Sequence, residues 1–198
     1  MTQTTRSATI DRKTSETEIH LSLNLEGSGE SQVRTGIPFF DHMLTLFSRH
    51  GLFNLKVEAK GDIEVDYHHT VEDVGLALGS AFLKALGDKS GIRRYGSAYV
   101  PMDEALARVV LDCSGRPYLA YEAPRGVEAI GLFPFQLVEE FLRAFSVQAG
   151  LTLHVSILAG RDAHHMAEAI FKALGRALDV AVSRDERVTG IPSTKGVL

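Results

Sequence analysis

The chain has 198 residues, 44% of them hydrophobic, which is enough for the core of one ordinary domain or of two small fused ones and excludes a disordered, collagenous or coiled-coil protein. Its 21 Lys plus Arg against 25 Asp plus Glu give a formal charge of −4, and no window carries the dense basic cluster of a nucleic-acid or anionic-membrane surface, so the expected partners are small molecules or copies of the chain itself. Apolar runs fall short of the ~18 residues of a membrane span, and the polar start MTQTTRSATIDRKTSETE lacks the apolar stretch of a signal peptide, so a soluble, cytoplasmic protein is expected.

In chain order, Ile19 to Leu25 alternates apolar and polar residues and predicts a half-buried strand. A helix is predicted over Phe39 to His50, with Phe39, Met43, Leu46 and Phe47 on one face, Pro38 in the first turn and Gly51 at the stop. Phe53 to Val57 alternates again and gives a second strand. His69 to Leu86 predicts a helix with Val71, Val74, Leu78, Phe82 and Ala85 on one face and Gly87 closing it. A strand over about Ala105 to Asp112 follows, then a helix over Phe135 to Val147, a strand over Leu151 to Ile157, and a helix over His165 to Val182.

Laid against itself, the chain repeats at about half its length. Gly51-Leu52 leads through a strand to Gly61-Asp62, to His68-His69-x-x-Glu72 and to Leu78-Gly79; Gly150-Leu151 leads through a strand to Gly160, to His164-His165-x-x-Glu168 and to Leu174-Gly175. The glycines are 99 residues apart and the His-His-Glu sets 96, so one small deletion relates the halves. The reading is one compact body over residues 1–198, built from two similar β/α halves, about 12–95 and 96–190, with a functional tail over 191–198.

With eight histidines and 14 glutamates in the chain, HHxxE should occur by chance roughly 0.02 times, so two copies at matching places in a repeat form a motif. At a helix start His68 and Glu72 stand at i and i+4 on one face, where imidazole and carboxylate can reach one cation, whereas His69 points roughly 100° away. Each motif should therefore serve two ions. If the halves face each other across a pseudo-twofold axis, one ion takes His68, Glu72 and one histidine of the other motif, and its twin takes His164, Glu168 and the remaining histidine of the first. Cys113 is the only cysteine, so an intramolecular disulfide and a thiolate metal cluster are excluded. Nitrogen and oxygen ligands favour Mn²⁺, Fe²⁺, Co²⁺ or Zn²⁺, and six-coordination favours Mn²⁺. His42, in PFFDHML, and His154, projecting from the polar face of its strand, are candidate completing ligands. His20 is a solvent-facing strand position, and His50 a helix end where a partly positive imidazole suits the dipole. GSGE at Gly27 lacks the Lys and helix of a P-loop.

The segments TGIPFFDHML, GDIEVDYHHTVEDVGLALG, GIRRYG, PMDEAL, LDCSGRPY, LHVSILAGRDAHHMAEAIFKALGRAL and IPSTKGVL, spanning about Arg12 to Leu198, together resemble the imidazoleglycerol-phosphate dehydratase family, in the monofunctional form that lacks a fused phosphatase. The resemblance implies an α+β fold of duplicated β/α half-domains, ribosomal protein S5 domain 2-like, with sheets packed against a helical layer. It implies a carbon-oxygen lyase of histidine biosynthesis that dehydrates D-erythro-imidazoleglycerol phosphate to imidazoleacetol phosphate with two Mn²⁺ per chain, in a shell of 24 subunits with sites between them. Two metals flanking the imidazole would hold it as imidazolate and help expel the adjacent hydroxyl. By residue matching, Glu16 in RKTSETEI moves protons, alongside the motif residues His68, His69, Glu72, His164, His165 and Glu168. Arg94, Arg116, Lys172, Ser193, Thr194 and Lys195 meet the substrate and its phosphate. Leu46 stands where a polar substrate contact is usual. Motif spacing alone leaves two other readings open, a dinuclear metallohydrolase and a metal-storage or metal-dependent assembly protein, because spacing specifies metals and not the reaction.

Overall fold

The computed structural model describes residues 6–198; residues 1–5 of the expected body lie outside them. The first half runs β1 (Ser7–Lys13), β2 (Thr17–Asn24), β3 (Ser31–Arg34), α1 (Pro38–Gly51), β4 (Asn54–Gly61) and α2 (His68–Leu86). The second runs β5 (Tyr95–Met102), β6 (Ala105–Asp112), β7 (Tyr118–Glu122), α3 (Gln136–Ala149), β8 (Thr152–Ala159) and α4 (Ala163–Val182). Each half is one four-stranded sheet, ordered β1-β2-β4-β3 and β5-β6-β8-β7, in which the third strand pairs parallel to the fourth and the other ladders are antiparallel. The duplication is therefore complete down to strand direction. The first half begins at Ser7 and the second at Tyr95, slightly ahead of the expected bounds.

The four expected strands are the inner ones, β2, β4, β6 and β8. Their alternation is legible because one face is buried, as in β2, where Thr17, Ile19, Leu21 and Leu23 point inward. The edge strands β1, β3, β5 and β7 were not expected. β3 has only four residues and no fully buried one, so it carries no clear period.

Helices α1 and α2 cover the inner face of the first sheet and α3 and α4 that of the second, with α2 against α3 and α1 against α4. The result is sheet, two helical layers, sheet. Phe40, Phe47, Phe82, Phe141, Phe145 and Phe171 fill the middle and are fully buried. Phe141 stacks between Phe145 and Phe171, with ring centroids 6.1 and 5.1 Å away.

The two helix crossings are copies of one device. A Cβ on Gly175 would lie 2.5 Å from the Phe47 carbonyl oxygen and 2.9 Å from the Gly51 amide nitrogen. A Cβ on Gly79 would lie 2.7 Å from the Phe145 carbonyl oxygen and 3.0 Å from the Ala149 amide nitrogen. Gly79 and Gly175 are 96 residues apart, while Phe47 and Phe145, like Gly51 and Ala149, are 98 apart. This corrects the sequence alignment of the halves, which paired Gly51 with Gly150. The left-handed residue after α3 is Gly150 (φ 64°), and its counterpart after α1 is Leu52 (φ 56°). Gly51 is the last helical residue, and its missing side chain serves the crossing instead of the turn. Replacing Gly79 or Gly175 by Ala drives a methyl into backbone and should lower stability by about 1–3 kcal/mol, read as a shift in urea midpoint against an exposed Ala control.

Candidate metal centre

Both histidine motifs start their helices because an aspartate two residues upstream caps them. Asp162 Oδ1 accepts from the amides of His164 (2.7 Å) and His165 (3.1 Å), and Asp66 Oδ1 accepts from the amide of His68 (2.7 Å). The working unit is thus D-x-H-H-x-x-E in both copies, an extension legible in DYHH and DAHH.

The second motif forms a cluster with α1. His42 Nε2 lies 2.9 Å and His164 Nε2 3.0 Å from Glu168 Oε1, while Lys172 Nζ donates to Glu168 Oε2 at 2.6 Å. Burial alone would raise the Glu168 pKa, but the hydrogen bonds from Lys172, His42 and His164 outweigh it and hold the carboxyl at about 2. One ligand atom from each of His42, His164 and Glu168 lies within 4.8 Å of the others. Two imidazoles and a carboxylate converging in this way fit a divalent transition ion. Phe39 props His164 edge-on at 5.1 Å.

The first motif is looser. His68 Nε2 is 3.9 Å from Glu72 Oε2, and no histidine of the second motif joins it among the described residues. The expected sharing of an ion between the two motifs is therefore not made within one chain, because α4 packs on α1 and α2 on α3. The repeat relates the two helix crossings position by position. His42 is the fifth residue of α1, and Glu140, 98 residues later, is the fifth residue of α3. Half-buried Glu140 is thus the positional counterpart of His42, but among the described residues it does not converge with His68 and Glu72 as His42 does with His164 and Glu168.

The remaining histidine of each motif is oriented by a carboxylate. His69 Nδ1 lies 3.0 Å from Asp62, and His165 Nδ1 lies 2.7 Å from Glu104; in each case this hydrogen bond raises the imidazole pKa and leaves Nε2 facing away from the helix. Glu104 also accepts from the amides of Asp162 (2.8 Å) and Arg161 (3.1 Å). Glu16, in the β1–β2 turn, places Oε1 3.9 Å from His69 Nε2. Asp62, Glu104 and Glu140 escaped the sequence reading because none lies inside the HHxxE pattern.

His154 does not join the cluster. It projects from the outer face of β8, opposite buried Leu153 and Val155, with its ring 5.9 Å from Tyr118. His20 faces solvent and pairs with Asp11. His50 is not the partly positive helix end expected: burial, then Lys172, Arg176 and Arg49, push its pKa down. Leu46 is half-buried against the core, so this position of α1 is used for packing.

The candidate phosphate residues divide. Lys172 is held at the metal cluster by Glu168, with Met102 sulfur 3.3 Å away. Arg94 makes a two-point contact with Asp112 (2.7 and 3.0 Å) and donates to the Pro192 carbonyl (2.9 Å), so it fastens the tail. Arg116 is exposed, 3.9 Å from Asp112. Ser193, Thr194 and Lys195 form a compact turn in which Ser193 Oγ accepts from the Lys195 amide (3.2 Å) and the Ser193 carbonyl from the Gly196 amide (3.0 Å). Lys89, only 4% exposed and with its pKa lowered by burial, lies near Asp112, Arg94 and the buried Cys113 thiol, whose pKa burial raises to about 12. Arg94 and Asp112 sit at one end of the β5–β6 hairpin; Met102 and Glu104, near the metal cluster, sit at the other. Strands of eight residues at ~3.3 Å each separate the two groups by about 25 Å.

Fold and site define a duplicated α+β protein that gathers imidazoles and carboxylates at helix starts. A family model described as imidazoleglycerol-phosphate dehydratase matches residues 35–178. Proteins of that name from Caldanaerobacter subterraneus subsp. tengcongensis and Acetivibrio thermocellus are 61% and 59% identical over 193 and 189 residues, covering 98% and 96% of this chain and 100% and 97% of those proteins. Solved dehydratases from Staphylococcus aureus and Pyrococcus furiosus, the latter in complex with (S)-C348, superpose with a TM-score of 0.82 each at 42% and 35% identity. They cover 90% and 96% of this chain and 99% and 100% of theirs. The chain belongs to the imidazoleglycerol-phosphate dehydratase family and is an enzyme of the hydro-lyase class, which sets aside the hydrolase and metal-storage readings.

A pH dependence follows from Glu104. Its pKa falls from 4.5 to about 2, first through the Asp162 amide, then His165 and the Arg161 amide. A depressed folded pKa stabilises above the unfolded value and loses that contribution as pH falls through the folded one. In metal-free protein the stability gap between wild type and Glu104→Gln should be full above about pH 4.5 and close toward pH 2, as read by urea denaturation across that range.

Proposed function

We propose that this chain dehydrates D-erythro-imidazoleglycerol phosphate to imidazoleacetol phosphate in cytoplasmic histidine biosynthesis, using two divalent ions per chain, Mn²⁺ foremost. The observation that carries the reading is the convergence of His42, His164 and Glu168 within 4.8 Å in a chain of this family. His42, His164 and Glu168 would hold one ion; His68 and Glu72, completed by groups from another copy of the chain, would hold its twin. The chemistry supplied by the ions when bound is acidification of the substrate's imidazole ring, whose electrons then assist loss of the adjacent hydroxyl.

The chain's own residues do the rest. Asp62 and Glu104 fix the tautomers of His69 and His165, so that each presents Nε2 outward. Glu16 reaches the same Nε2 edge of His69 and is the group placed to take the carbon-bound proton and return one to the departing hydroxyl. The C–H and C–O bonds break, water leaves, and the resulting enol becomes the ketone of the product. Lys195 supplies a point charge and Ser193 a hydroxyl to the phosphate, while Arg94 holds the tail in place through Pro192.

The separation of about 25 Å between the tail group and the metal cluster far exceeds a small phosphorylated imidazole. It supports sites assembled from more than one copy of the chain, in the 24-subunit shell that the sequence resemblance implies.

Metal analysis after Mn²⁺ reconstitution should give two ions per chain, falling to about one in His42→Ala or Glu72→Ala. The reconstituted protein should release the acetol product from imidazoleglycerol phosphate, and light scattering should show a large assembly that shrinks with chelator. Product without metal, or full activity in a monomer, would contradict the reading. Lys195→Ala should raise KM on the order of 10- to 1000-fold, about 1.5–4 kcal/mol of lost charge-assisted contact, with metal content unchanged; kinetics and metal analysis on one preparation check both.

A further inference from the structure

The turn that carries Glu16 is held by a polar triad, Thr17 and Asp73 buried and Arg12 partly exposed, whose counterparts in the other half are all apolar. Asp73, on α2 and 6% exposed, accepts from Thr17 Oγ1 at 2.5 Å and from Arg12 Nη2 at 2.7 Å. Thr17 begins β2 directly after Glu16, and Arg12 lies on β1 just before the turn. Arg12 Nε is also buried, with no partner among the described residues. Three more contacts close the turn: Thr14 Oγ1 accepts from the amides of Glu16 (3.1 Å) and Thr17 (3.0 Å), and the Glu16 carbonyl accepts from the Asp62 amide (3.2 Å). Strand register identifies the counterparts. Thr17 opens β2 as Ala105 opens β6, Arg12 faces Ile19 as Val100 faces Ala107, and Asp73 follows His68 by five residues as Ala169 follows His164. Val100, Ala105 and Ala169 are all buried.

Burying a carboxylate and a hydroxyl, with a guanidinium drawn partly out of water beside them, where the same fold accepts Val and two Ala is costly unless position matters. What differs between the two turns is the task of the carboxylate. Glu104 is bound to His165 Nδ1 and two amides, whereas in the first half Asp62 takes the corresponding imidazole nitrogen of His69 and leaves the Glu16 side chain free. We infer that Arg12, Thr17 and Asp73 are positioning residues that hold the Glu16 carboxylate against His69 for proton transfer. Asp73 lies beside Glu72 on α2, so one helix sets both a candidate metal ligand and the proton carrier, and the error in their separation is kept small. This inference rests on the role proposed for Glu16.

The test transplants the apolar set. The triple variant Arg12→Val, Thr17→Ala, Asp73→Ala copies the second half and should fold with an unchanged urea midpoint or a higher one, keep its metal content and keep KM within about threefold. Its kcat should fall on the order of 10- to 100-fold, the cost of a misplacement near an ångström. Introduced into Glu16→Gln, the same three changes should lower kcat by less than about twofold further. The single variant Thr17→Ser, which keeps the hydroxyl, should retain near wild-type kcat. A triple variant with wild-type kcat beside an inactive Glu16→Gln overturns the triad's role alone, as does an equal loss in both backgrounds. Failure of the triple variant to fold or hold metal makes the triad a structural requirement and also overturns the inference. A fully active Glu16→Gln removes the Glu16 reading itself.

Discussion

The site depends on how closely two pairs of helices approach. At Gly175 the backbone of α4 meets the carbonyl of Phe47, and at Gly79 that of α2 meets the carbonyl of Phe145, both at distances that leave no room for a side chain. That approach carries His42, one turn into α1, to within hydrogen-bond reach of a carboxylate 126 positions away in sequence. Packing density in the layer between the sheets makes the placement rigid, since interlocked aromatic rings leave little freedom for one helix to slide along another. The candidate metal ligands are thus positioned by contacts among groups outside their cluster.

Duplication explains the architecture, and departures from it carry the chemistry. Two halves with one strand order provide two capped helices and two histidine pairs, which gives the repeated, structural part of the site. The unequal features are those with a single task. His42 has Glu140 as its counterpart, Glu16 is free where Glu104 is bound, and a polar triad stands opposite Val and Ala. A residue that breaks the internal symmetry is therefore a better pointer to a distinct role in this molecule than one that obeys it.

Much of this was legible in the sequence, for physical reasons that also mark the limits. The inner strands and all four helices announced themselves because each buries one face, so period two or 3.6 is imposed on the residues. Histidines 68, 69, 164 and 165 were legible because a repeated motif compounds a weak signal. The edge strands were not, because half-exposed residues need no alternation. For His154, alternation correctly placed the side chain opposite Leu153 and Val155, on the face away from the helices of its own chain. The spacing of four between Glu168 and Lys172 on one helix face already implied the ion pair that joins them, whereas the substrate contact expected of Lys172 came from residue matching.

The hairpin β5–β6 and helix α4 run side by side between the tail end and the metal end, and their lengths are bound together. One more residue advances a strand by about 3.3 Å and a helix by about 1.5 Å, so two added to each of β5 and β6 would have to be matched by about four in α4, with every face kept in phase. A single insertion in any of the three would either turn inward-facing side chains outward or shear Arg94 away from Pro192. Length variation is tolerable where no spacing is being kept, as in the connection over residues 123–135 before α3, but not in the segment over 87–94, which backbone bonds tie to residues 181–190. The molecule can therefore diverge widely in composition while changing very little in size.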